Sequence, residues 1–161
     1  MAVPRKLFIT VLLLLGQFLV IQADPIDTSL DFLTALERAD GEAVTALLSR
    51  DLRQRLQDVF DQLSALAAEN PDMLEAALSR FGDRLTSTDI TELPLESLVG
   101  RLLEGRVFPD TGLIVLENAI LEGRNATVVL EFQDGGAVSF RMVWEESDWR
   151  IADSSVLNML F

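Results

Sequence analysis

Cysteine, histidine and tyrosine are absent from this 161-residue chain, and Lys6 is its only lysine. Without cysteine there is no disulfide, no thiolate metal site, no thiol nucleophile and no lipid-bearing cysteine. Without histidine the usual general base and the commonest transition-metal ligand are both missing. No cofactor and no metal site is expected, and no residue is assigned a catalytic role. The basic side is thin as well: 13 Lys and Arg stand against 26 Asp and Glu, a formal charge of −13. Such a chain repels phosphate backbones and anionic membrane surfaces, so nucleic acid is not expected among its partners.

What is present begins with an apolar leader. Arg5 and Lys6 precede the run Leu7 to Val20, then Ile21-Gln22-Ala23, and acidic residues start at Asp24. A charged head, an apolar middle and a small residue at the cut are the layout of a secretory signal peptide, with cleavage expected after Ala23. The alternative is a retained anchor, since the 17 uncharged residues Leu7 to Ala23 reach the lower limit of a membrane span. A membrane enters as a partner only in that case. The expected location is periplasmic or secreted. The remaining body, 24–161, is read as one α+β domain. Its 11 basic residues are all arginine against 26 acidic ones, a formal charge of −15.

Two periods divide that body. Over 24–105 apolar residues recur at helical spacing. The first helix carries Leu30, Phe32, Leu33 and Leu36, with Asp27-Thr28 as its N-cap and Gly41 as its left-handed stop. A short helix follows over 42–48. The clearest runs from 51 to 68 with Leu52, Leu56, Val59, Phe60, Leu63 and Leu66. Asn70-Pro71 stops it and starts the next, which carries Leu74, Leu78 and Phe81 and ends at Gly82. The stretch 83–92 is polar. Pro94 opens a last helix with Leu95, Leu98, Val99 and Leu102, ended by Gly105.

Over 106–155 the period is two, an antiparallel meander. Val128, Leu130 and Phe132 alternate with polar residues, as do Val138, Phe140, Met142 and Trp144. Turns are expected at 134–136 and 145–148. The first pairs Phe132 with Val138 and Leu130 with Phe140. The second pairs Trp144 with Trp149 and Met142 with Ile151. Both registers keep the large apolar residues on one face. The strand 113–121 is ambiguous, because both of its parities are apolar. Runs of helices followed by runs of strands give an α+β fold of about four strands. The final segment 156–161 is apolar to its end.

The end of the chain, VSFRMVWEESDWRIADSS (138–155), places an alternating strand, an acidic turn and a Trp-Arg-Ile-Ala-Asp strand in order. The opening DFLTALERADGEAVTALLS (31–49) is a helix, an Asp-Gly type break and a second short helix. In both, the chain resembles the nuclear transport factor 2-like superfamily, the cystatin-like α+β cone, and in particular its exported uncharacterised members. The stretch 70–105 is longer than compact members need. The resemblance implies a sheet curled around a pocket. It also implies enzyme members that use carboxylates with Tyr, His or Arg, and other members that only bind. No catalytic residue carries over, because this chain has no Tyr or His and no carboxylate matched by motif.

The expected inner face offers Phe132, Phe140, Trp144 and Trp149, either as a pocket for a small apolar ligand or as filled core. The carboxylates nearest that face are Asp153, in step with Ile151, and Asp31, beside Phe32; both are read first as caps or exposed charges. Glu131 and Arg141 are expected as an outer-face pair. The acidic groups 24/27/31 and 145/146/148 lack the pattern of a calcium loop. Asn125-Ala126-Thr127 is a glycosylation acceptor pattern at a turn. Interaction candidates are Val115, Val129 and Val143 (with Ala119) on the outer sheet face, a surface for a homodimer, and Leu160 and Phe161 in the tail. The leading expectation is an exported, non-enzymatic binding domain. The alternative is a structural or protein-interaction component of the cell envelope, and after it a carboxylate-dependent isomerase or hydrolase.

Overall fold

The structure is a computed structural model, and it describes residues 23–79 and 84–157. Among the described residues six α-helices come first: α1 (Pro25–Glu37), α2 (Gly41–Leu47), α3 (Arg50–Glu69), α4 (Pro71–Leu78), α5 (Ser87–Glu92) and α6 (Leu95–Leu103). A short 3-10 turn, Thr111–Leu113, leads into β1 (Ile114–Glu122), β2 (Asn125–Phe132), β3 (Ala137–Glu145) and β4 (Asp148–Ser154). The strands form one antiparallel sheet in the order β1-β2-β3-β4. The sheet is open, and the α+β layout is the expected one.

The helix boundaries follow from capping chemistry. Asp24, three residues earlier than the expected Asp27-Thr28 cap, accepts from the Ile26 amide, and Pro25 occupies the first turn, where its missing N–H costs nothing. Asp40 caps α2 by accepting from the Ala43 amide. Gly41 therefore starts α2 rather than stopping α1; the left-handed stop is Ala39, at φ 52. Gly41 is required for a different reason. A Cβ there would lie 1.9 Å from the Glu96 carbonyl oxygen and 2.5 Å from the Gly100 amide nitrogen, so α2 and α6 touch backbone to backbone. Asn70 with Pro71 ends α3 and caps α4, as the sequence indicates. The expected end of α4 at Phe81-Gly82 lies outside the described residues. Helix α5 stands in the polar stretch 83–92, to which the sequence assigned no element. Thr86 and Asp89 cap it reciprocally, Thr86 N–H to Asp89 Oδ2 at 2.9 Å and Asp89 N–H to Thr86 Oγ1 at 3.1 Å. Gly105, at φ 68, follows α6 in the left-handed conformation expected of it.

The sheet keeps its expected faces with two changes of register. Between β2 and β3, Leu130 pairs with Val138 and Val128 with Phe140, two residues from the expected pairing. The loop is Gln133–Gly135: Phe132 N–H bonds to Gly136 O at 2.9 Å, and Gly135 takes φ 83. This is the three-residue hairpin with a left-handed glycine. Because the slip is even, no side chain changes face. Between β3 and β4, Trp144 pairs with Trp149 and Met142 with Ile151, as expected, but pairing continues to Glu145 and Asp148. That leaves a two-residue turn, Glu146-Ser147, with both φ positive.

Bulges make the second change. One extra residue opposite Arg141/Met142 puts Asp153 beside Arg141 and Ser154 beside Phe140. Another between Ile114 and Leu116 resets β1, so that Ala119 faces Val128 on the inner side. Ala119 thus leaves the outer face assigned to it.

The inner face packs on the helices as one apolar cluster. Phe32, Leu33 and Leu36 of α1 meet Val128, Leu130, Phe140, Met142 and Ile151, all buried. Phe32 and Phe140 stack edge to face at 6.1 Å. Each large side chain so buried contributes about 1.5–3 kcal/mol of transfer free energy. The open edge of β4 is met once: Leu48 bridges Ile151, and Ser49 N–H bonds to Ile151 O at 2.8 Å. Among the described residues, β1 pairs with β2 alone.

Candidate functional site

The four aromatic candidates all lie on the inner face, on β2, β3 and β4. Phe132, Phe140 and Trp149 are buried and Trp144 is half-buried. Trp144 and Trp149 stack edge to face at 5.2 Å. Around Phe140 the space is filled: Phe32 covers it, and Ser29 of α1 donates to Met142 Sδ at 3.4 Å. Open space appears at the Trp144 end, as a depression of about 350 Å³ lined by Asp24, Pro25, Leu121, Arg124, Trp144 and Trp149 among others. Arg124 donates to the Trp144 carbonyl at 2.7 Å, so part of its guanidinium is already engaged.

The outer face and the β1 edge are different in kind. Val129 and Val143 are half-buried. Along β1, Val115, Leu116, Ile120 and Leu121 are 58, 51, 56 and 60% exposed. Leu113, just before the strand, is also exposed. These five are most of the large apolar side chains exposed among the described residues, the others being Val59, Met73 and Val107. Single exposed apolar residues are ordinary; a gathered set on an edge strand is a feature to be accounted for. The sequence reading named only Val115 of this set. The signal for Leu116, Ile120 and Leu121 was the double parity of Leu-Ile-Val-Leu-Glu-Asn-Ala-Ile-Leu, which is apolar on both faces.

The two carboxylates singled out from the sequence, Asp153 and Asp31, stand apart from the packed inner face. Asp153 is on the outer face, ion-paired with Arg141, which the sequence reading had placed with Glu131. The bulge explains both outcomes. Asp31 is exposed. Asp89 is held below the usual carboxylate range by the Thr86 amide and hydroxyl. Burial lowers the Arg106 guanidinium, with the like charge of Arg84 adding to it. Among the described residues there is no group of three or more acidic side chains arranged to hold a metal ion.

At the carboxyl end Val156 and Leu157 are buried in the core, and Leu160 and Phe161 lie outside the described residues. Asn125 opens β2 just after the Gly123-Arg124 turn, with Asn125 and Thr127 exposed and Ala126 buried between them. The leader and its alternative as an anchor fall on residues 1–22, also outside the described set. No described helix is long and apolar enough to cross a membrane. Compared with known proteins, the chain matches no family model, no curated protein and no solved structure.

Proposed function

We propose that this chain is an exported, non-enzymatic binding domain of the cystatin-like α+β kind, working as a protein-interaction component of the cell envelope through β1 and the adjoining outer face. The observation that carries the reading is the distribution of apolar side chains. Phe32 and Phe140 pack the interior, while Val115, Leu116, Ile120 and Leu121 stand exposed on an edge strand. A strand of that composition recruits another by main-chain hydrogen bonds, with alternate side chains giving selectivity. The leader sequence supports export, and the helices-then-meander order supports the superfamily. The test is retention of an envelope protein by the immobilised full chain. Wild type should hold a partner that Val115→Glu and Ile120→Glu both release without loss of folding. Equal retention by all three would sink the reading.

A second reading has its own observation, the depression beside Trp144. Its tryptophan and leucine walls suit a small apolar ligand with an anionic group directed at Arg124. Native mass spectrometry of the purified chain, and a shift in tryptophan fluorescence lost in Leu121→Asp, would support it. An unliganded chain with fluorescence indifferent to added fatty acid would reject it.

A further inference from the structure

The hydrogen-bond phase of the sheet fixes which atoms of β1 face its open edge. Phe132 and Arg124 bond across to β3, Phe132 N–H to Gly136 O and Trp144 N–H to Arg124 O. The even residues of β2 are therefore used by β3, and its odd residues bond to β1. Their β1 partners are Leu116, Asn118, Ile120 and Glu122. The intervening Glu117, Ala119 and Leu121 turn their backbone N–H and C=O groups outward.

We propose that a second copy of this chain pairs there, β1 to β1 and antiparallel, about a two-fold axis through Asn118. This rests on the reading of β1 as the working surface and names its partner. The register satisfies the backbone: Glu117 and Ala119 of the two copies form hydrogen-bonded pairs on either side of a close Asn118–Asn118 pair. It also satisfies the side chains. Leu116 meets Ile120 twice, Val115 meets Leu121 twice, and the two asparagine amides meet each other. Charge selects against the other arrangement. Parallel in-register pairing would set Glu117 on Glu117 and Glu122 on Glu122, whereas the antiparallel pairing opposes them to Ala119 and Ile114. Of the usual guards of an exposed edge, lysine and proline are missing from Ile114–Glu122, and what remains is the bulge at its start and Glu117, which the antiparallel register sets opposite Ala119. Such a strand-edge contact is small, below about 1,200 Å² in total, so association depends on concentration. Each copy carries −13, so added salt strengthens the pairing.

The absence of cysteine supplies the test. In the full chain, Asn118→Cys under mild oxidation should give a covalent dimer, since a close antiparallel pair lies within about 4.4–6.8 Å between Cα atoms, the range a disulfide spans. Thr127→Cys, one strand inward, should not. Adding Ile120→Glu to Asn118→Cys removes both Leu116–Ile120 pairs and should cut the yield about tenfold or more. Equal cross-linking at positions 118 and 127, or none at 118, overturns the proposal; the first outcome would place association elsewhere, including residues 1–22. Should 118 fail to cross-link while Ile120→Glu still releases an envelope partner, the dimer falls and the interaction reading stands. Failure of both removes both.

Discussion

Strands β1 and β3 are nine residues each, yet Val138, Phe140 and Met142 of β3 are 3% exposed or less, while no residue of β1 is buried. Both strands are rich in apolar residues. What separates them is position. β3 is central in the sheet under α1, where Phe32, Leu33 and Leu36 complete the contact. β1 is an edge: its Ile114 and Ala119 pack against the core, while Val115, Leu116, Ile120 and Leu121 stay exposed. An apolar side chain stabilises the monomer only where a second layer removes it from water. On β1 that second layer is missing for Val115, Leu116, Ile120 and Leu121.

The comparison is broken most strongly in the core. Phe140→Ala removes the ring that meets Phe32 and should cost about 3–5 kcal/mol in urea unfolding. Leu116→Ala on β1 should stay within about 0.5 kcal/mol. Comparable losses at the two positions would mean that β1 is covered in the monomer. A second contrast lies in the helices. Gly41→Ala forces a methyl into the Glu96 carbonyl and should cost about 1–3 kcal/mol or more. Gly100→Ala meets nothing nearer than 3.4 Å and should gain up to about 1 kcal/mol from helix propensity. Thermal unfolding of the pair tests the backbone contact between α2 and α6.

These contrasts also mark what could be read from residues alone. The inner face was legible because alternation survives any even slip; the β2–β3 register moved by two residues without exposing Phe132 or Val138. Bulges are different, since one extra residue inverts parity. That is why Asp153 was expected inward and Ala119 outward. No composition signal at Ala152 or Val115 announces the extra residue; it is set by pairing across the sheet. The missed α5 is another matter. Thr86-Ser87-Thr88-Asp89 carries a capping pattern, but only Ile90 follows it as a buried anchor, too little for periodicity to register. Of the site, the aromatic face was legible and the exposed edge was not, because hydrophobicity cannot say which strand of a sheet ends uncovered.

The cap of α5 makes a pH prediction. Asp89 binds a proton less readily folded than unfolded, since the Thr86 amide and hydroxyl bond its carboxylate. Its stabilising effect is therefore complete above the ordinary aspartate value of 3.8 and is lost as pH falls through the lower folded value. Asp89→Asn should flatten that part of the stability profile, below the ordinary aspartate value. Amide exchange in α5 should rise with acid in wild type and stay level in the variant, with β3 amides unchanged in both.

The smallest expected effect is the sharpest test of the contrast between the strands. Valine and threonine have nearly the same shape, and threonine is at home in a strand, so Val→Thr isolates the cost of burying a hydroxyl. At Val128, fully buried beneath α1, the hydroxyl loses water and finds apolar neighbours, at about 1–3 kcal/mol. At Val115, more than half exposed at the bulge, water remains its partner, and unfolding of the dilute chain should move by less than about 0.5 kcal/mol. The same Val115→Thr change removes an apolar contact from each half of a β1–β1 pair, so its effect should appear only as concentration rises. A loss at Val115 equal to that at Val128 in dilute solution would mean that β1 is covered within the monomer, and the difference on which its role depends would be gone.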